Sequence, residues 1–201
     1  GGIGLNLNHY TYSQPIMDPI NFLFIGRLLK EKGIFDFIQA ARFVKSAYPN
    51  TKFTVLGSID PHNQGALSQE QLNALLNEGL FEYPGYVSNI QDWIHKSSVF
   101  VLPSYREGVP RSTQEAMAIG RPVITTDVTG CRDTVIDGVN GFVVPKWDPE
   151  ALAEKMIYFI ENPDKINQMG QESHQIALEK FDVDKVNRKL CKLLGIEITE
   201  S

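Results

Sequence analysis

The sequence predicts an α/β domain with a doubly wound, Rossmann-like sheet of six parallel strands, covered by helices on both faces. Short apolar runs alternate along the chain with segments of helical period. The runs are almost uniformly apolar, which is typical of strands buried on both sides. The chain has 201 residues, of which 42% are hydrophobic and 21% charged. This length suits one domain with a full core and leaves no room for a second large one.

Six strands are predicted from the apolar runs, and turn residues mark where several of them stop. The first two runs end in Gly26 and Gly57, and Pro84 and Gly85 follow the third. The predicted strands are residues 20–25, 51–56, 81–83, 98–102, 122–125 and 142–144.

Helices are predicted after most of the strands and at the carboxyl end of the chain. They are residues 33–48, a helix that begins after Ser68, 89–96, a helix that closes at Gly120, 131–136, and three helices that begin near residues 148, 163 and 183. Ser68 and Gln71 have the spacing of a capping box, and Asp148 is a predicted cap. Trp147 and Phe142 are assigned to the core. The polar connection 58–67 is long enough to be a candidate functional loop.

Residues 1–18 are rich in glycine and have no hydrophobic period, so we predict a linker there. The ordered domain is predicted to occupy residues 19–201.

The composition argues against several classes of function. The net charge is −5, with 24 acidic and 19 basic residues, and this disfavours nucleic acid as a partner. Cys131 and Cys191 lie far apart and share no metal-ligand spacing with the four histidines, so we expect free thiols in a reducing compartment and no metal site. The sequence shows neither a membrane-spanning run nor a secretion signal, and we predict a cytoplasmic protein.

Ligands of doubly wound sheets lie at the carboxyl ends of the strands, where residues 26–27, 57–58, 85–86 and 104–110 are expected to meet. A dinucleotide fingerprint is missing from residues 26–33, since charged residues stand where its glycines are required. Arg27 and Lys32, in this loop, can instead converge on a diphosphate. The alternative is a solvated basic loop.

The stretch 102–118 has the pattern of a strand, a loop and a helix N-terminus, which is a favourable place for an anion. Glu107 and Glu115 flank this corner and would repel a phosphate, so we expect them to bind neutral groups such as sugar hydroxyls. Glu115 has an alternative role, because Ser112 stands three residues before it as in a capping box. A glycosidase pair is disfavoured, since the neighbours are Arg106 and Arg111 and no apolar pocket is indicated.

These motifs together resemble those of retaining nucleotide-sugar glycosyltransferases of family 4, which have the GT-B fold. The resemblance rests on Gly26-Arg27 with Lys32-Gly33, on Pro103-Ser104 with Glu107-Gly108 and Pro110, on Glu115-Ala116-Met117-Ala118 with Gly120 and Pro122-Val123-Ile124, and on Gly130, Asn140-Gly141 and Val144-Pro145. It extends over nearly the whole chain after the linker. It implies the donor-binding, carboxyl-terminal half of such an enzyme, without the preceding acceptor half.

The resemblance also implies roles for individual residues. Glu107 would bind donor sugar hydroxyls and Glu115 the ribose, while Arg27 and Lys32 would bind the diphosphate. The backbone of Gly108, Val109 and Pro110 would approach the sugar and diphosphate, and the main chain around Tyr86 and Val87 would hold the base. Gly26 and Arg111 complete the predicted nucleotide-sugar site. Glu107, Arg27 and Lys32 are the predicted catalytic residues.

The implied reaction is a metal-independent, cofactor-free transfer of a hexosyl or N-acetylhexosaminyl group, with retention, from a UDP-sugar. The acceptor would be a saccharide, or a saccharide on a polyprenyl diphosphate, as in bacterial surface-glycan synthesis. It would be bound through the missing half, with the whole enzyme at the inner face of the membrane. This chain alone is expected to bind the nucleotide without transferring sugar. Two alternatives stay open, a nucleotide-sugar-binding module without catalysis and a UDP-sugar epimerase.

Overall fold

The computed structural model describes residues 4–194, so the ends of the predicted linker and of the predicted domain, 1–3 and 195–201, lie outside the described residues. Six strands form one parallel sheet in the order β3-β2-β1-β4-β5-β6, which confirms the predicted fold class. The strands are β1 Asn21–Ile25, β2 Lys52–Leu56, β3 Glu82–Gly85, β4 Val99–Leu102, β5 Val123–Thr126 and β6 Gly141–Val144. The strand order reverses between β1 and β4, and in this architecture the ligand crevice lies outside that point.

Helices cover the sheet as the hydrophobic periods predict. They are α1 Ile34–Ala47, α2 Gln69–Asn77, α3 Ile90–His95, α4 Arg111–Ile119, α5 Pro149–Glu161, α6 Pro163–Lys180 and α7 Val183–Leu194. Ser68 and Gln71 form the predicted capping box, and the Asp148 side chain accepts from the Ala151 amide. These caps explain why α2 and α5 begin where the sequence predicts.

The predicted helix at 131–136 is wrong, since turns occupy this stretch. The side chain of Asn140 takes part in its backbone hydrogen bonding, accepting from the Ile136 amide at 2.7 Å and donating to the Thr134 carbonyl at 3.1 Å. Asp137 likewise accepts from the Val143 amide at 2.9 Å. Side chains of this kind offer the backbone an alternative to helical hydrogen bonds, and here that alternative is the one adopted.

Aromatic residues form much of the core on the face of the sheet that α1 and α5 cover together. Phe53 packs on Phe22 and Phe37 with ring centroids 5.5 and 5.9 Å apart. Phe142 is buried as predicted and packs against Phe159 at 5.3 Å. These contacts hold α1 and α5 against the sheet.

Trp147, which the sequence assigns to the core, is 61% exposed, so that assignment is wrong. Its φ of 63° lies in the left-handed region, in the turn between β6 and α5. This turn directs the ring outward, where it meets the edge of Tyr105 with centroids 5.6 Å apart. The ammonium of Lys146 lies 4.1 Å from the centre of the indole ring.

The amino-terminal segment, described from residue 4, packs on the domain. Leu5 is buried in the core, although the sequence predicts that the core begins after residue 18. The Leu5 amide donates to the Phe181 carbonyl at 2.7 Å, and the Val183 amide donates to the Leu5 carbonyl at 2.9 Å. The ring of Tyr12 lies 5.0 Å from that of His174. Whether this segment also joins a preceding domain stays a prediction.

Arg121, just after α4, fixes this segment from inside the domain. Its side chain is fully buried and donates to the carbonyl of Ser13 at 2.7 Å, to the Ser13 hydroxyl at 2.7 Å and to the carbonyl of Ile94 at 2.9 Å. Burial lowers the pKa of Arg121 to about 10. Since no carboxylate of the described residues forms an ion pair with it, the guanidinium depends on these backbone and hydroxyl oxygens.

Among residues 4–194, we find no helix with the length and apolar character needed to cross a bilayer.

Candidate functional site

The carboxyl ends of β1, β2 and β3 form the first part of the site. At Gly57, whose φ is 141°, an added Cβ would lie 1.9 Å from the Gly26 carbonyl oxygen. The backbones that leave β1 and β2 therefore touch directly, as only glycine at this position allows. Gly26 and Gly57 are thus held in the rim of one cleft.

This cleft has a volume of about 210 Å³ and a largely apolar lining. It is lined by Ile25, Gly26, Arg27, Leu56, Gly57, Ser58, Tyr86, Val87 and Ile90. The structure therefore brings the predicted site residues Gly26, Arg27, Tyr86 and Val87 together. Tyr86 is 81% exposed, so its ring is not needed by the core. A flat heterocycle suits an apolar cleft with one exposed aromatic at its edge.

Arg27 and Lys32 have different partners. The Arg27 side chain is 58% exposed, and its Nη1 lies 3.5 Å from Asp60 in the long connection after β2. An ion pair this exposed contributes little to stability, so Arg27 is free to exchange its partner for a ligand. Lys32 instead lies against the next loop, and the convergence of the two cations on one diphosphate stays a prediction.

The ammonium of Lys32 donates to Oε1 of Glu107 and forms an ion pair with it. The Lys32 side chain is 24% exposed and that of Glu107 is 11% exposed. The short 3₁₀ helix Lys30–Lys32 presents the lysine, and Gly33 follows with a φ of 76°. A Cβ on Gly33 would lie 1.9 Å from the Pro103 carbonyl oxygen, so the loops after β1 and β4 pack backbone to backbone. Two predicted site residues, Lys32 and Glu107, thus share one partly buried pair.

Backbone contacts hold the loop after β4 from below. The Tyr105 amide and the Ser104 hydroxyl both donate to the Glu31 carbonyl, at 2.8 and 2.9 Å. Gly130, with a φ of 86°, approaches so closely that an added Cβ would lie 1.5 Å from the Gly108 carbonyl oxygen. On the outer side of Gly108 itself, nothing lies within 4 Å of the place of a Cβ. The loop is therefore supported on one side and has open space on the other.

Helix α4 begins directly after this loop, at Arg111, with Pro110 in the N-cap position and no side-chain cap. The Ser112 side chain does not cap the helix by accepting from the Glu115 amide. Its hydroxyl donates instead to the Ile25 carbonyl at 3.4 Å, so the capping-box alternative for Glu115 is wrong. The physical reason is that the helix starts two residues too early for Ser112 to be its cap, since Pro110 already occupies the N-cap position. The first amides of α4 are therefore available to an anion.

The carboxylate of Glu115 is nearly buried, and one of its oxygens receives two hydrogen bonds. Arg111 Nε donates to Oε1 at 3.0 Å, and the Tyr10 hydroxyl donates to the same oxygen at 2.9 Å. Burial, and then the neighbouring Glu115, raise the pKa of Tyr10. The hydroxyl therefore stays protonated at neutral pH and acts as a donor.

Asp36, on α1, lies behind the loop beside Tyr105. Burial and the neighbouring Asp36 carboxylate raise the pKa of Tyr105. Burial also raises the pKa of Asp36 itself. These groups support the loop from the side of α1.

Sequence reasoning misses several residues that shape the site, namely Tyr10, Gln114 and Arg121. Gln114 donates from Nε2 to the Val109 carbonyl at 3.2 Å and so ties the loop to α4. Tyr10 lies in a stretch without periodicity, so no local signal identifies it. Within residues 4–194, no three His, Cys, Asp or Glu side chains are grouped so that they could hold a metal ion.

Comparisons with known proteins point to one family. The family model described as glycosyl transferases group 1 matches residues 13–176. The capsular polysaccharide biosynthesis glycosyltransferase CapM of Staphylococcus aureus is 30% identical over 190 residues, which are 94% of this chain and 50% of that protein. A Campylobacter jejuni protein is 29% identical over 171 residues, 85% of this chain and 43% of its own length. It is named N,N'-diacetylbacillosaminyl-diphospho-undecaprenol alpha-1,3-N-acetylgalactosaminyltransferase.

Solved structures share the fold. Anabaena Alr3699/HepE, solved in complex with UDP, superposes with a TM-score of 0.84 at 23% identity, covering 96% of this chain and 56% of that one. The chain spans about half the length of the curated relatives it matches.

Proposed function

Because the chain belongs to the glycosyl transferases group 1 family, we propose that it is the donor-binding, carboxyl-terminal half of a retaining GT-B glycosyltransferase of family 4. The donor is a nucleoside diphosphate sugar, with UDP as the nucleotide. One observation carries this proposal: the Lys32–Glu107 pair lies beside the uncapped start of α4, at the switch point of the sheet. Such a corner offers cationic and amide donors to a diphosphate, and a carboxylate to neutral hydroxyls.

The nucleotide is placed by the two halves of the site. The base enters the apolar cleft beside Tyr86 and Val87, with Gly26 in its wall. Arg27 at the rim of the cleft leaves Asp60 and binds the diphosphate, because a phosphate offers the guanidinium two charged acceptors at once. The complex of Anabaena HepE with UDP supports the choice of nucleotide.

The sugar is placed by the loop after β4. Backbone amides of Gly108 and Val109 approach the sugar and the diphosphate through the open space outside Gly108. Glu107 accepts from sugar hydroxyls, while the Lys32 ammonium donates both to Glu107 and to the phosphate. Glu115 accepts from the ribose.

The chemistry that these residues support is stabilisation of the leaving diphosphate. When the bond to the sugar breaks, negative charge grows on the diphosphate, where Arg27, Lys32 and the first amides of α4 interact with it. Preformed donors of this kind supply the charge stabilisation that a divalent ion supplies in other enzymes. We therefore propose a metal-independent transfer of a hexosyl or N-acetylhexosaminyl group, without a protein nucleophile from this chain.

The acceptor is a saccharide, either free or carried on a polyprenyl diphosphate, and the preceding half of the enzyme binds it. The names of the Staphylococcus and Campylobacter relatives support this choice, since one makes capsular polysaccharide and the other uses a diphospho-undecaprenol acceptor. In this proposal the enzyme works in the cytoplasm, at the inner face of the membrane.

The test is calorimetric titration of the wild type and of Arg27→Ala with UDP, in the presence of a chelator. Loss of one charge-assisted hydrogen-bonding group costs about 1.5–3 kcal/mol, so we expect binding to weaken roughly 10- to 150-fold. Arg42→Ala is the matched control, because Arg42 is also an exposed arginine paired with a carboxylate, Glu78, but lies on α1 away from the cleft. Equal UDP affinities of Arg27→Ala and the wild type would remove Arg27 from the site.

A further inference from the structure

The hydroxyl of Tyr10 reaches the site from the amino-terminal segment. It donates to Oε1 of Glu115 at 2.9 Å, across 105 positions of sequence. The nearly buried Glu115 lies in the second turn of α4, next to the amides that face the diphosphate in our proposal. A residue outside the sheet and its helices therefore contacts a group of the proposed donor site.

The two donors of Glu115 leave one side of the carboxylate open. Arg111 and Tyr10 both donate to Oε1, and the described residues 4–194 supply no hydrogen bond to Oε2. The Arg111 side chain is mostly exposed, so water competes with Glu115 for this donor. Tyr10, by contrast, is half-buried and packs against the core. The direction in which Oε2 points is thus set mainly by the Tyr10 hydroxyl.

Tyr10 is itself held on both sides. Its amide donates to the Leu7 carbonyl at 3.0 Å, which closes the short 3₁₀ helix Leu7–His9. Three residues later, Ser13 donates from its amide to the Ile119 carbonyl at 3.1 Å and accepts from the buried Arg121. The segment therefore spans α4, with Tyr10 near the start of the helix and Ser13 at its end.

We propose that Tyr10 is a positioning residue that orients the Glu115 carboxylate so that Oε2 accepts from the ribose hydroxyls of the donor nucleotide. This inference rests on the proposed function, in which Glu115 binds the ribose. Tyr10 does not touch the nucleotide. Its hydroxyl fixes Glu115 before the ligand arrives, which reduces the ordering cost of binding.

The experiment compares Tyr10→Phe with the wild type in calorimetric titrations with UDP, 2′-deoxy-UDP and 3′-deoxy-UDP. Tyr10→Phe keeps the ring and removes only the hydroxyl. Tyr12→Phe is the matched control, because the buried Tyr12 hydroxyl lies in the same segment and has no partner among the described residues. Thermal unfolding curves establish that each variant is folded.

We expect Tyr10→Phe to weaken UDP binding about 2- to 12-fold, the range for one hydrogen bond, and Tyr12→Phe to leave it unchanged. The discriminating quantity is the factor by which UDP binds more tightly than the weaker of the two deoxy analogues. A positioning role makes this factor smaller in Tyr10→Phe. A merely structural role weakens all three nucleotides equally and leaves it unchanged.

An unchanged factor, or tighter UDP binding by Tyr10→Phe, would overturn the role of Tyr10 while the proposed function stands. Failure of the wild type to bind UDP at all would overturn the proposed function, and the role of Tyr10 with it.

Discussion

Replacing Gly130 with alanine tests whether the loop that carries Gly108 depends on a backbone contact beneath it. Gly130 has a φ of 86°, and its new Cβ would lie 1.5 Å from the Gly108 carbonyl oxygen and 2.7 Å from that of Glu107. A contact of 3.0 Å requires a displacement of about 1.5 Å. Because Gly130 and the loop press on each other through main-chain atoms, the loop itself must move.

Gly130→Ala has two energetic costs, the left-handed backbone conformation and the displacement of the loop, and the same substitution at a second glycine measures the first cost alone. Placing a Cβ in the left-handed region costs about 1–2 kcal/mol on its own. Gly138, in the same connection between β5 and β6, has a φ of 75° and nothing within 4 Å of its Cβ position, so Gly138→Ala carries only this cost. Gly130→Ala carries it together with the displacement of the loop. We expect a lower melting temperature for Gly130→Ala than for Gly138→Ala, which should itself lose roughly 2–4 °C per kcal/mol.

Binding of a UDP-sugar is the functional readout. Each hydrogen bond that the displaced loop no longer makes to the ligand should cost about 0.5–1.5 kcal/mol, so we expect UDP-sugar affinity to fall at least about 2- to 12-fold in Gly130→Ala and to stay near the wild-type value in Gly138→Ala. Calorimetry at a temperature where both variants are folded measures this difference. Equal stability and equal affinity of the two variants would refute the close contact between Gly130 and the loop.

Two further predictions concern charged groups. Lys32→Met leaves the largely buried Glu107 carboxylate without its cation, so it should lower the free energy of unfolding by about 1–3 kcal/mol in urea titrations. The double variant Lys32→Met with Glu107→Gln should recover part of this loss, and no recovery would indicate that the pair is not coupled. Burial, and then the neighbouring Arg121, lower the pKa of His95 below 6.5, and its Nδ1 lies 2.8 Å from the Ser13 hydroxyl. The unfolded chain therefore binds the proton more tightly, so the stability that neutral His95 contributes is present above about pH 6.5 and is lost as the pH falls below it. His95→Gln should show a smaller loss of stability between pH 7.5 and 5.5 than the wild type, and equal losses would contradict this assignment.

The sequence predicts the sheet well because each strand carries its own signal. An apolar run that ends in glycine, as at Gly26 and Gly57, is local information, and so is the capping box at Ser68. The turns at 131–140 depend on Asn140, whose side chain reaches back over six positions to the Thr134 carbonyl, and this competes with the helical period. Trp147 is apolar in composition but stands in a turn, and the turn decides its exposure.

The candidate site likewise has features that the sequence predicts and features that it does not. Glu107 and Lys32 stand in loops at the ends of predicted strands, so the architecture alone places both at one edge. Their pairing depends on the close approach of Gly33 to Pro103, which no local pattern encodes. The contact of Tyr10 with Glu115 is a tertiary contact between distant parts of the chain, and the capping-box pattern at Ser112 points to a different partner for Glu115.

The oxygens that surround Arg121 have a practical consequence for where this domain can be cut. Trimming the chain to residue 19, where the apolar pattern begins, would remove the Ser13 carbonyl and hydroxyl and leave donors of a buried cation unsatisfied. Burying a charge without partners costs several kcal/mol, a large share of the stability of an ordinary domain. A fragment that keeps the residues crossing α4 is therefore expected to be more stable than one that starts at residue 19, although these residues belong to none of the strands or long helices.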